Sequence, residues 1–350
     1  MKPNNIRIST DEKISFFISL ATMLSAGITI IDAIESLLED SKGNIKKILT
    51  ALKDDLVQGK RIYLSLARFP MVFDSVTVSI IKASEEAGTL DTTLKQVKEN
   101  LQKEAEFLGT IRSALLYPFF IIITFIAVFL MILIVVIPRI SQVFLSLKLD
   151  LPLPTKILIF MSDVLTKQTI PFLVILLILL SIVFVLLRTK GRELMQLFFS
   201  LPGISNLVIQ IDLVRFTRSM AMLYSSGLTI TSSLELCEGI VMSKAVSNMI
   251  KQGKQIIFSG KKLSDTLKVN RRIVPNIMIK IVEAGEKSGS LEESMKEVST
   301  YLDYQVTHSL KILTALIEPI MLVIVGGLVG SMMLSIIAPI YSLIGQVGAR

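Results

Sequence analysis

Two hydrophobic patterns alternate along the chain. In three places apolar residues run on without a charge for about the twenty positions needed to cross a hydrocarbon core. Elsewhere they recur every three or four positions, between Lys, Glu, Asp and Ser. The first uncharged run is 115–137, which opens with Pro118 close to its start. The second is 170–187 and stops at Arg188. The third is 315–340, whose apolar part is entered through Glu318 and Pro319. An earlier apolar stretch, 14–34, is broken by Ser, Thr and Gly and predicts soluble helices. The polar start MKPNNIRISTDEK is followed by no short apolar region with a cleavage site, so no signal peptide is expected.

The intervening stretches carry helix grammar. Ser9, Thr10, Asp11 and Glu12 have the chemistry of a capping box, in which a hydroxyl accepts from a freed amide and the acid reaches back. Ile14, Phe17, Ile18, Ala21 and Leu24 follow at helical spacing. Gly27 ends that helix, and Thr29 with Asp32 opens the next. Further on, Gly88 and Gly289 each end a helix. Thr89 and Ser290 cap the next, with Glu293 at the capping-box position after Ser290. Long helices then run from Leu90 and Leu291 into the first and third apolar runs. No strand alternation competes. The expected fold is an all-α membrane protein with two homologous six-helix-bundle cytoplasmic domains and three transmembrane helices.

The homology is internal. At an offset of 200, residues 16–35 lie over 216–235, with Phe16/Phe216, Ser25/Ser225, Gly27/Gly227, Thr29/Thr229 and Glu35/Glu235 identical. Further along the offset is 201: Gly59/Gly260, Lys60/Lys261, Glu85/Glu286, Gly88/Gly289 and Pro118/Pro319 coincide. One inserted residue thus accounts for about a hundred positions kept in register. The repeated unit is a helical domain followed by an outgoing span. Both copies keep the same orientation only if a further span, 170–187, returns the chain between them. This separates the chain from inverted-repeat transporters.

Composition supports the membrane assignment. Hydrophobic residues make up 51% and charged residues 19% of 350, with a mean hydropathy of +0.65. A soluble domain carries nearer a quarter charged residues. The net charge of +8 is uneven: residues 1–115 hold 15 bases and 15 acids, whereas 188–319 hold 17 bases and 12 acids. Loop 138–169 has only Arg139, Lys148, Lys156 and Lys167, and the tail only Arg350. The positive-inside rule then predicts the layout. Copy one (1–114) is cytoplasmic, span one is 115–137, and 138–169 is a periplasmic loop. Span two is 170–187, copy two (188–314) is cytoplasmic, span three is 315–340 and 341–350 is a periplasmic tail.

Several activities lack their residues. Cys237 and His308 are each alone, which leaves no disulfide framework, no multi-Cys or His-cluster metal centre and no Ser/His/Asp choice. Both are read as structural. Gly253 and Gly260 are two residues too far apart for a Walker A loop, and Lys262 stands where that motif needs Ser or Thr. No basic-aromatic stripe or motif suggests nucleic acid. The chain is expected to be no enzyme, with no catalytic, cofactor-binding or metal residues, and to draw its energy from a partner.

The SAGIT and SSGLT helix turns, the GEKSGSL element and a proline at the span entrance together form a specific layout. Two such units with three spans resemble the inner-membrane platform proteins of type II secretion and type IV pilus machines. The resemblance covers about Phe16 to Ile340. It implies a bacterial inner-membrane, multi-pass, homo-oligomeric protein placed between a cytoplasmic hexameric ATPase and pilin or pseudopilin helices. It also implies other inner-membrane assembly partners and membrane lipids. The implied role is to couple the ATPase to insertion or extraction of pilin subunits. The chain departs from the pattern at Ser84, where copy two has Gly285.

Candidate partner contacts are Glu85, Gly88, Glu286, Gly289, Arg271 and Arg272. For the two glutamates the alternatives are helix-end solvation or an ion pair within the domain. Arg271 and Arg272 suit a solvated turn or lipid headgroups. Candidates for membrane packing or pilin docking are Glu318, Pro118, Pro319, Gly326 and Gly330. Glu318 can stay hydrated at the membrane edge or pair with a partner. The Gly326–Gly330 GxxxG pattern serves packing against spans one or two, self-association or pilin docking. A transporter or channel subunit is the alternative function, and a receptor or signalling scaffold is a further one.

Overall fold

The computed structural model describes residues 6–146, 153–166 and 204–347. Span 170–187 lies outside them. Among the described residues there is helix and no strand. Copy one comprises α1 (Thr10–Ser25), α2 (Ile30–Asp40), α3 (Gly43–Val57), α4 (Ile62–Ala67), α5 (Ser75–Ala87) and the start of α6 (Leu90–Met131). A π-helical turn, Ile132–Val136, joins α6 to α7 (Ile137–Ser146), and α8 is Leu153–Thr166. Copy two comprises α9 (Ile204–Ser225), α10 (Ile230–Glu238), α11 (Lys244–Phe258), α12 (Leu263–Val269), α13 (Asn276–Ser288) and the start of α14 (Leu291–Val347).

Most of the local signals work as read. Ser9 accepts from the Glu12 amide at 3.1 Å, and the Glu12 carboxylate accepts from the Ser9 amide at 2.7 Å. Thr29 and Thr229 cap α2 and α10 through the amides of Asp32 and Ser232. Gly88 (φ 73°) and Gly289 (φ 76°) end α5 and α13 in the left-handed conformation. An added Cβ would meet nothing within 4 Å at either, so backbone geometry alone selects glycine. The side-chain caps expected from Thr89 and Ser290 do not form among the described residues: the Ser290 hydroxyl lies 2.6 Å from that of Ser288 instead, and Thr89 engages through its carbonyl, which accepts from the Thr92 hydroxyl at 2.9 Å.

The inserted residue falls between the second and third helices of the copies. Helices α2 and α10 start at offset 200, and α3 and α11 start at offset 201. Copy two absorbs it in the longer turn 239–243.

The chain divides into two compact units. One unites the two helical copies, Met1–Thr110 with Gln196–Thr307. In copy one its core is built on Phe16, Phe17 and Phe73, whose rings pack 5.0–5.9 Å apart. The equivalent positions in copy two are Phe216, Thr217 and Val274, all buried, so the copies fill the same fold with different volumes.

The second unit holds Ile111–Met195 and His308–Arg350. Two helical stretches are long and apolar enough to span a membrane, Leu90–Arg139 and Leu291–Gly327. Only 11% and 6% of their most apolar 18-residue windows are buried in the chain. A soluble protein would cover such surface, whereas lipid is its natural solvent.

Helices α6 and α14 pass through Pro118 and Pro319 without a break. Two boundaries differ from expectation. Helix α14 continues to Val347, past the expected span end at 340. Segment 138–169, expected as a loop, is helical at 138–146 and 153–166. The reason is apolar burial: Leu133 and Ile137 form a small core covered by Phe129, Leu158, Ile159 and Leu165. The widened π turn leaves a carbonyl to satisfy, and the buried Ser162 hydroxyl donates to the Leu133 carbonyl at 2.6 Å.

Candidate functional site

The second unit contains a cleft of about 510 Å³ between α6 and α14. Its two walls are copies of each other. Tyr117, Phe120, Ile121, Thr124 and Val128 line it from α6, and Glu318, Met321, Leu322, Val325 and Val329 from α14. Each member of the second set stands at the 201 offset from its counterpart in the first. Duplication therefore placed one helical face on both sides of one cleft. The walls diverge further in. Phe125 and Phe129 stack at 6.2 Å on α6, and their equivalents on α14 are Gly326 and Gly330. A Cβ added at either glycine would meet no described atom within 4 Å. Glu318 is exposed and has no partner among the described residues, and its counterpart is Tyr117. Pro118 is buried and Pro319 exposed, so these equivalent prolines sit in unlike surroundings.

In the helical unit, Glu85 and Glu286 make one contact twice. The Glu85 carboxylate accepts from the amides of Ile62 (3.0 Å) and Tyr63 (3.4 Å). The Glu286 carboxylate accepts from Leu263 (2.6 Å) and Ser264 (3.2 Å). These amides open α4 and α12, the shortest helices of each copy. The preceding residues, Arg61 and Lys262, have side chains that cannot accept a hydrogen bond from them. A carboxylate from the following helix, α5 or α13, supplies the cap instead and also faces the positive end of the helix dipole.

The repeat, the paired spans and the shared caps describe a unit written twice. The model for type II secretion system (T2SS) protein F matches this chain twice, at residues 16–138 and 216–339. The chain belongs to the type II secretion system protein F family. The starts and the ends of the two matches are separated by the same two offsets that relate the copies to each other. A type IV pilus assembly protein PilC of Thermus thermophilus is 31% identical over 339 residues, covering 95% of this chain and 82% of its own. A type II secretion system protein F of Pseudomonas aeruginosa is 26% identical over 332 residues, covering 94% and 82%. A PilC of Myxococcus xanthus is 26% identical over 332 residues, covering 93% and 79%.

Within this chain the remaining candidates separate clearly. Arg271 and Arg272 are exposed in the turn between α12 and α13 and form no ion pair among the described residues. Their copy-one equivalents are Pro70 and Met71, so this cationic turn is confined to copy two. Gly88 and Gly289 are exposed helix ends.

Three features escape a reading of the sequence. Arg218 on α9 pairs with Asp303 on α14 at 2.5 Å, and its guanidinium lies 5.5 Å from the Phe107 ring centroid on α6. One side chain thus holds both long helices. Burial pushes the Asp303 carboxyl up, against the lowering pull of Arg218 and Lys103. The second feature is Asp212, fully buried on α9. Its Oδ2 accepts from the amides of Met242 (2.9 Å) and Ser243 (2.5 Å), while Oδ1 has no partner. Burial raises its carboxyl above the usual range despite those bonds. The third is Asp55, buried in copy one with Lys60 and Arg68 on its two oxygens. Its copy-two equivalent is Ile256, so this network is not duplicated. A charge pair between partners as far apart in the chain as Arg218 and Asp303 leaves no local signal. Asp55 and Asp212, each at a core-facing helical position, are the two that periodicity could have flagged.

Proposed function

We propose that this chain is the non-enzymatic inner-membrane platform of a type IV pilus or type II secretion machine. It couples a cytoplasmic hexameric ATPase to the insertion or extraction of pilin or pseudopilin subunits. The observation that carries this reading is the cleft lined by equivalent faces of two spans, beside membership of a family whose relatives are named for pilus assembly and type II secretion. A passive anchor needs no such cleft. A pilin is held by its transmembrane helix, and a shared groove of helical relief suits one.

In this reading both helical copies are cytoplasmic, span 170–187 returns the chain between them, and the C-terminus is periplasmic. Glu85 and Glu286 serve the fold, because their carboxylates are already engaged as caps. Arg271 and Arg272 offer the ATPase a cationic turn found in copy two alone. Homo-oligomers place several such turns on one face. The test is photo-crosslinking in cells from Arg272 and from Val325. Capture of the ATPase from the first and of a pilin from the second is expected. Failure to capture either partner from any position in the chain overturns the platform.

A further inference from the structure

Glu318 is a carboxylate with no partner among the described residues, at one end of a cleft whose other walls are almost wholly apolar. An anion in such a place pairs with a cation or faces water. No described residue supplies that cation. Copy one shows that the position does not require an acid, since Tyr117 occupies it. The carboxylate therefore has a use in copy two that packing does not explain.

The relief of the cleft selects the shape of the occupant. From Glu318 to Val329 it follows α14 for about 16 Å, or roughly three turns. Along that length the α6 wall presents stacked Phe125 and Phe129, and the α14 wall presents Met321, Leu322, Val325 and Val329. A ring ridge beside a row of aliphatic side chains, continuous over about three turns, is a relief against which a third helix packs.

We infer that the cleft receives a partner's transmembrane helix bearing one cationic group, a basic side chain or a free amine, that pairs with Glu318. This deepens the platform reading and rests on it. The pairing fixes the depth at which the helix sits, because an apolar helix alone can slide along an apolar groove. Glu318 acts as a register stop.

The test uses the full chain in phosphatidylcholine vesicles with a synthetic Leu/Ala peptide of about twenty residues. The peptide carries Lys, Gln or Glu one turn inside one end, and energy transfer between labels reads association. The Lys peptide is expected to bind about tenfold more tightly than the Gln peptide. Glu318→Gln removes that preference, Glu318→Lys turns it toward the Glu peptide, and Val325→Phe, which fills the cleft, weakens all three alike. Equal binding of the Lys and Gln peptides to the unaltered chain overturns the proposal. So does a preference that survives Glu318→Gln. Loss of the preference when phosphatidylethanolamine is added assigns the carboxylate to a lipid amine and overturns it too. A disulfide between Val325→Cys and a cysteine placed within 170–187 shows the chain's own segment in the cleft, and overturns it as well. If pilin capture in cells survives Glu318→Gln while the peptides show no preference, the cation pairing falls and the platform stands.

Discussion

Gly285 and Ser294 bring α13 and α14 so close that no side chain fits at position 285. A Cβ placed there would overlap the Ser294 hydroxyl and stand 2.6 Å from the Ser294 Cβ. In copy one the equivalent pair is Ser84 and Thr93, both buried, and the Ser84 hydroxyl donates to the Ile81 carbonyl at 3.0 Å. The copies thus solve one helix crossing differently. Gly285→Ala is expected to destabilise the chain by about 1–3 kcal/mol through overpacking. Adding Ser294→Gly should recover part of that loss. Thermal unfolding of the purified chain in detergent, followed by circular dichroism, measures both. An unchanged midpoint for Gly285→Ala would show that the helices separate freely.

The glutamate caps give a paired prediction. Glu286→Ala and Glu85→Ala each strand two helix-opening amides and should cost about 1–2 kcal/mol. The Gln variants keep an acceptor and should lose less. The same melts decide it, with amide exchange at Leu263 and Ile62 as a local readout. Equal loss in the Ala and Gln variants would place the effect in charge rather than in capping.

Arg218 holds Phe107 and Asp303 at once, with its side chain 11% exposed and that of Asp303 32% exposed. Arg218→Ala should cost about 1–2 kcal/mol, less than a fully buried pair because water screens Asp303. Arg218→Lys retains a charge but not the planar fork, and should recover only part. Faster proteolysis of the Ala variant between α6 and α9 is the expected sign. If the Lys variant is as resistant as the unaltered chain, the guanidinium has no special place there.

Asp212 sets a pH dependence. Its folded carboxyl titrates above the ordinary 3.8 because burial disfavours the anion. The unfolded carboxyl therefore ionises first as pH rises. Stability falls from about pH 3.8 upward until the folded group has ionised as well. Asp212→Asn keeps an acceptor for Met242 and Ser243 and should flatten this part of the profile. Denaturant unfolding across that range tests it, and an unaltered slope in Asp212→Asn removes Asp212 as the source.

Much of the fold was legible because its signals are local or repetitive. Ser9 with Glu12, Thr29 with Asp32, and the glycines at 88 and 289 act within a turn of themselves. The register between copies needed only comparison of the chain with itself, and the apolar runs only length and absence of charge. The helical segment 153–166 was hidden because its apolar residues look like loop content until Leu133 and Ile137 are there to cover.

The candidate site was half legible. Glu318, Gly326 and Gly330 could be singled out as unusual in an apolar run. That Glu318 shares a cleft with its own counterpart Tyr117 required both helices in place. Glu85 and Glu286 stood out as repeated acids, but the amides they cap open a different helix, beyond the reach of any local pattern.

The sequence by itself determined the helices, the duplication, the register between copies and the runs fit for lipid, because each depends on neighbours in the chain or on composition. Only the tertiary structure decided which carboxylates are engaged as caps, which arginine binds both long helices and which acid has no partner among the described residues. Those outcomes depend on distances between residues far apart in sequence, which packing alone sets.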